Sequence, residues 1–148
     1  MWNSSGTFYE YSKKAENTPL VLVHGVGLDH KSWQYLLEDF SGQATLTYDL
    51  LGHGQTERTL GRQSFEPFIE QLDVLLSGLK IPEVILVGFS LGGLVAAHFA
   101  ASHPQSVRAL VLISTVYQRT SAERQALAIR VRQARDGDWA ALRAAALD

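Results

Sequence analysis

The sequence predicts an α/β fold, a mainly parallel sheet with helices on both faces. Three observations carry this prediction. Strand-like and helix-like stretches alternate at short loop lengths as far as Ile113. The stretches "PLVLV", "EVILVGF" and "RALVLIS" are apolar almost throughout, as strands covered on both faces are. Between them, apolar residues recur at helical spacing.

Taken in order, alternating "TFYEY" (Thr7 to Tyr11) reads as an edge strand, and Pro19 to Val23 as a short buried strand that stops at His24-Gly25. "DHKSWQYLLEDF" then puts Trp33, Leu36, Leu37 and Phe40 on one helical face, and "ATLTYDL" gives a strand ending at Asp49. From Phe65 to Leu79 seven apolar residues recur at helical spacing, with Pro67 suited to a first turn. The strand "EVILVGF" is followed by an alanine-rich helix from Leu91 to Ser102, stopped by His103-Pro104, and then by the buried strand "RALVLIS". Beyond Ile113 no strand candidate remains. Two amphipathic helices divide at Gly137, with Asp138 as N-cap. Six of the thirteen basic residues lie between Arg119 and Arg143 and read as the solvated face of these helices.

Bulk composition limits the function classes. A chain of 148 residues is long enough for one domain with a core. With 46% hydrophobic residues, 19% charged residues and a net charge of -2, it is expected to be soluble, with no nucleic-acid or membrane partner. Zero cysteines remove disulfides, thiolate metal sites and cysteine nucleophiles together. Neither a signal peptide nor an 18-residue apolar run is visible, so a cytoplasmic location is expected. The last residues, "AAALD", fall inside a pattern that still reads as helix, so the sequence looks cut rather than finished.

Gly88-Phe89-Ser90-Leu91-Gly92 matches G-x-S-x-G. Three fixed positions would match by chance in about one chain in twenty of this length, so context supplies the weight. This motif follows a buried strand and opens a helix, where a sharp turn lifts the serine oxygen to the carboxyl edge of the sheet. Small residues at Gly88 and Gly92 fit so tight a turn. The helix beginning at Leu91 aims free N–H groups and a positive dipole end at the place where negative charge would develop. A second element, "HGVG" (His24 to Gly27), stands at the end of another strand. An acyl-transfer site needs two donors about 3 Å from the oxyanion. The N–H groups of Val26 and Leu91 are the natural pair, with Gly25 and Gly27 leaving the loop free to turn.

"VLVHGVGLDHKSW", "YDLLGHGQT", "VGFSLGG" with "AAHFAASHP", and "LVLIST" together resemble the first half of an α/β-hydrolase fold protein, in the group of serine-nucleophile ester, lactone and carbon–carbon bond hydrolases. The similarity runs in order from about Phe8 to Thr115. It implies an incomplete α/β-hydrolase core at 1–117, lacking the last strands, and the start of a helical cap at 118–148. It implies Ser90 as catalytic nucleophile and Val26 and Leu91 as oxyanion donors, supported by His24, Gly25, Gly27, Gly88 and Gly92, with no metal and no cofactor. In that family the acid and histidine follow the serine, on loops after strands beyond the cap. This chain ends before either, and the alternative acid position holds Ser114 and Thr115.

None of the five histidines reads as the base of Ser90. His98 lies eight residues into the following helix, about 12 Å along its axis, and His103 lies farther still. His30 is expected to open an exposed helix, His53 resembles a loop residue that braces backbone, and His24 resembles the family residue that holds the oxyanion loop. Asp49 reads as a carboxylate capping the turn before Gly52.

The sequence therefore carries two readings. One is the N-terminal portion of a serine hydrolase that acts on a small-molecule ester, thioester, lactone or activated C–C carbonyl through an acyl-enzyme on Ser90, weak or inactive as this chain alone. The other is a non-catalytic hydrolase-like module for binding or assembly. If "RALVLIS" is the last strand, its open edge invites self-association or pairing with a complementing C-terminal segment.

Overall fold

Five strands pair into one sheet in the computed structural model, which describes residues 1–13, 17–56, 64–116, 118–138 and 140. They are β1 (Tyr9–Ser12), β2 (Leu20–Val23), β3 (Thr45–Tyr48), β4 (Val84–Phe89) and β5 (Val107–Ile113), in spatial order β1-β3-β2-β4-β5. β1 runs antiparallel to β3, and every other pairing is parallel. With them, among the described residues, are helices α1 (Gln34–Asp39), α2 (Glu66–Leu79), α3 (Leu91–Ser102) and α4 (Ser121–Arg135).

The central strands send alternate side chains to opposite faces, and both faces are covered. Val21 and Val23 of β2 join Leu46, Tyr48 and Leu86 in a large core with Phe68, Leu72, Leu75 and Leu76 of α2 and Val95, Ala96 and Phe99 of α3. On the other face Leu20 and Leu22 meet Val87 and Trp33, with Leu37, Ile85 and Phe89 packed alongside. Pro67 sits in the first turn of α2 as expected. Lys80 ends that helix in the left-handed conformation, its N–H donating to the carbonyls of Leu76 and Ser77.

Two elements differ from expectation. The segment after β2 starts as a 3-10 turn, His30–Trp33, before α1. It buries Trp33 and leaves Leu36 and Phe40 exposed, because the change of helical pitch breaks the common face. His30, expected on an exposed helix, is buried. β5, read as a buried strand, is the end of the sheet. It pairs only with β4 among the described residues, and Leu110, Val111, Leu112 and Ile113 are 37–47% exposed.

The chain divides into two compact units, Met1–Thr115 and Val116–Asp148. In the second, α4 opens with a capping box in which Thr120 and Glu123 each bond the other's backbone N–H. None of its residues is buried, its arginines included. The further helix expected after Gly137 falls on residues that, Asp138 and Ala140 apart, lie outside the described ones. No helix among the described residues is long and apolar enough to cross a membrane.

Candidate active site

Ser90 occupies the single residue between β4 and α3. Its backbone has φ 53° and ψ -112°, a conformation that L-residues adopt only when the surroundings enforce it. The enforcement is visible on both sides. A Cβ on Gly88 would run into the Gly92 carbonyl oxygen and come within 2.5 Å of the Gly93 Cα; one on Gly92 would strike the carbonyl oxygens of Val23 and His24 at the end of β2. Backbone cannot yield as a side chain can, so α3 starts where it does only because both positions lack a Cβ.

The Ser90 N–H donates to the Ile113 carbonyl at 2.9 Å, and the Ser90 carbonyl accepts from the N–H groups of Gly93 and Leu94. Its hydroxyl makes no hydrogen bond among the described residues and does not cap α3. The Leu91 N–H, as the first of the helix, has no partner within it.

Gly25 to Leu28 form a turn closed by the Leu28 N–H on the Gly25 carbonyl at 3.3 Å, with Gly27 at φ 74° in the third position. A type II turn demands that sign of φ there, hence the glycine. The second position, Val26, is 70% exposed. The turn is seated beside the serine, since a Cβ on Gly25 would lie 3.3 Å from the Ser90 Cβ and 2.9 Å from the Phe89 ring.

His24 anchors this turn from inside. It is fully buried, with Nδ1 2.8 Å from the Gly25 carbonyl and Nε2 accepting from the Leu50 N–H at 3.0 Å. A carbonyl only accepts and an amide N–H only donates, which fixes the proton on Nδ1 and leaves both nitrogens occupied. Burial lowers its pKa, outweighing the Gly25 hydrogen bond that acts the other way. His24 is a neutral brace with no lone pair left for Ser90.

Asp49, read as capping the turn before Gly52, reaches past that turn to Gln55 and across to His30. Its Oδ2 accepts from the Gln55 N–H at 2.8 Å, and its Oδ1 takes the backbone N–H and Nδ1 of His30. Burial pushes the carboxyl pKa up, but the hydrogen bonds from Gln55 and His30 pull it further down, and the net shift is downward. This histidine–carboxylate pair faces the β1 side, with the His30 ring 4.7 Å from that of Phe8. Strand β2 separates β3, which Asp49 follows, from β4, so the pair stands two strands away from Ser90.

Gln71 was not singled out in the sequence. Buried on α2, it donates to the Asp49 carbonyl at 2.9 Å and to the Thr7 hydroxyl, while its Oε1 accepts from the Leu51 N–H. The available signal was an amide on the apolar face of a helix, beside Phe68, Leu72 and Leu75.

The remaining histidines are engaged elsewhere. His53 bonds the Leu51 carbonyl through Nδ1, His98 stacks on Phe65 at 4.5 Å, and His103 stacks on Phe99 at 4.4 Å with Nδ1 on the Ser102 hydroxyl. No group of three or more metal-ligating side chains occurs among the described residues.

Comparisons with known proteins agree with this architecture. The model of the α/β-hydrolase fold family matches residues 18–146. An (E)-2-((N-methylformamido)methylene)succinate hydrolase of Acinetobacter baylyi is 30% identical over 128 residues, 86% of this chain and 49% of its own length. A (lyso)-N-acylphosphatidylethanolamine lipase of Mus musculus is 34% identical over 106 residues, 68% of this chain and 31% of its own. Among solved structures, a carboxylesterase of Nitrososphaera gargenis superposes with a TM-score of 0.78 at 29% identity, covering 90% of this chain and 51% of the other. The chain spans about half the length of such relatives, or less. With a mostly parallel sheet, a serine in the strand-to-helix turn after β4 and a family match over most of its length, the chain belongs to the α/β-hydrolase fold family.

Proposed function

We propose that the chain is the N-terminal part of a serine hydrolase in which Ser90 attacks the carbonyl of an ester, thioester, lactone or activated ketone. The observation that carries the reading is the strained Ser90 backbone at the N-terminus of α3, with its hydroxyl unbonded among the described residues and the Gly25–Leu28 turn packed against it. Strain of this kind persists at a turn that exposes a nucleophile. The Ser90 Oγ bonds to the carbonyl carbon as its proton passes to a base, and the Val26 and Leu91 N–H groups receive the oxyanion. Collapse expels the leaving group with that proton, and water releases the acyl group from Ser90.

The base is a histidine outside these 148 residues. Each of the five present is occupied or stacked elsewhere, and the relatives named as hydrolase, lipase and carboxylesterase are about twice as long or longer. Residues 118–148 are read as the start of the family's cap segment. A fluorophosphonate should label the protein at its natural length on Ser90, and Ser90→Ala should abolish both labelling and ester hydrolysis. Labelling at another residue, or hydrolysis that survives Ser90→Ala, would overturn the reading.

The exposed apolar edge of β5, which the first reading covers with further strands, also fits a second reading, an assembly module that adds a strand there. Sedimentation discriminates between the two. A 148-residue chain that associates, and becomes monomeric on Val111→Lys without gaining or losing esterase activity, supports assembly.

A further inference from the structure

We propose that Ser114 is a substrate-contacting residue of the same site, donating a hydrogen bond to an oxygen on the acyl group that Ser90 attacks; this rests on the hydrolase reading above. Phe89 and Ile113 are register partners in the parallel pair β4·β5. The next residue on each strand is a serine, Ser90 on one and Ser114 on the other. Both have positive φ, 53° and 47°, and with Lys80 they make up the non-glycine residues of that kind among the described ones. Lys80 has an ordinary cause as a helix C-cap. Ser114 closes no helix.

Strand spacing puts the two serine α-carbons on the order of 5 Å apart, and the Ser90 N–H on the Ile113 carbonyl ties the two strand ends together. The Ser114 side chain is exposed and makes no hydrogen bond among the described residues, whereas the neighbouring Thr115 hydroxyl turns back to the Ile113 carbonyl. A glycine would hold this backbone with no steric cost, yet the position carries a free hydroxyl.

Direction follows from strand order. The Gly25–Leu28 turn lies on the β2 side of β4, and Ser114 on the β5 side. A carbonyl attacked by Ser90 with its oxygen toward Val26 and Leu91 therefore extends one substituent toward Ser114. A donor there suits an acyl chain bearing an ether, hydroxyl or carboxylate oxygen near the reacting carbon.

The test compares 4-nitrophenyl methoxyacetate with 4-nitrophenyl butyrate, which match in shape and differ by one oxygen, using the protein at its natural length. Ratios of variant to wild type cancel the intrinsic reactivity of each ester. Ser114→Ala and Ser114→Gly should lower kcat/KM for the methoxyacetate about five-fold, the worth of one neutral hydrogen bond, and leave the butyrate unchanged. Ser114→Asn, which tolerates positive φ and keeps a donor, should restore the preference. Equal losses on both esters, or no loss on either, would overturn the inference while Ser90→Ala still abolishes activity. Hydrolysis surviving Ser90→Ala, or a wild type that cleaves neither ester, would overturn the hydrolase reading and this inference with it.

Discussion

One carboxylate oxygen of Asp49, Oδ1, accepts from both the backbone N–H of His30, at 2.7 Å, and its Nδ1, at 2.8 Å. The two donors come from one residue at the start of a 3-10 turn that Asp29 caps, so Asp49 holds that turn against the end of β3. His24 holds the other end of the same loop from the end of β2. The stretch bearing Val26 is thus pinned at both ends by buried side chains.

Replacing Asp49 by Asn should cost about 2–3 kcal/mol, since hydrogen bonds to a charged acceptor are lost and a buried donor is left facing an amide. The pH dependence has a definite sign. A carboxyl whose folded pKa lies below its unfolded value stabilises above the unfolded value, about 3.9, and that stability is lost as the pH falls through the folded one. Urea midpoints should fall steeply below about pH 4 in the wild type, and Asp49→Asn should flatten that limb.

His24 acts in a different window. Its folded pKa lies below 6.5, so the unfolded chain binds a proton that the folded one refuses, and stability declines as the pH falls below 6.5. Between pH 7 and 5.5 the unfolding midpoint should drop, and His24→Gln should reduce that slope while lowering stability throughout. Nitrogen-15 spectra at pH 7 should show the Nδ1–H tautomer.

Glycine substitutions should separate the site from the scaffold. Gly92→Ala sets a methyl against two carbonyl oxygens at the end of β2, and should cost more than about 3 kcal/mol or prevent folding. Gly78→Ala, on an exposed position of α2 where a methyl meets nothing within 4 Å, should stabilise by about 0.5–1 kcal/mol. Thermal melts of the two variants should move in opposite directions.

Tyr48 is fully buried in the core, and its hydroxyl has no hydrogen-bond partner among the described residues. Burial pushes the phenol pKa well above its ordinary value. Tyr48→Phe removes an unsatisfied polar atom without opening a large void, and should leave stability unchanged or raise it by about 1 kcal/mol in urea titrations.

Much of this architecture was legible in the sequence because apolar runs and glycines report on backbone geometry. "PLVLV" and "EVILVGF" name strands covered on both faces, and Gly88 and Gly92 mark a turn too tight for a Cβ. Side chains that act across the fold were harder to read. His30 looked exposed because its neighbours Lys31 and Ser32 are polar, and its burial comes from Asp49, nineteen residues away. Gln71 was hidden because one amide among leucines leaves the helical period intact, and its partners Thr7, Asp49 and Leu51 come from other elements. The edge position of β5 could not be seen in "RALVLIS" itself, since periodicity tells how apolar a strand is and not how many neighbours it has.

The hydrogen bond from the Ser90 N–H to the Ile113 carbonyl ties the strained turn after β4 to the end of β5. Any shift of Ile113 therefore alters the energy of the Ser90 turn, and by reciprocity a change at that turn is felt at the end of β5 to the same extent.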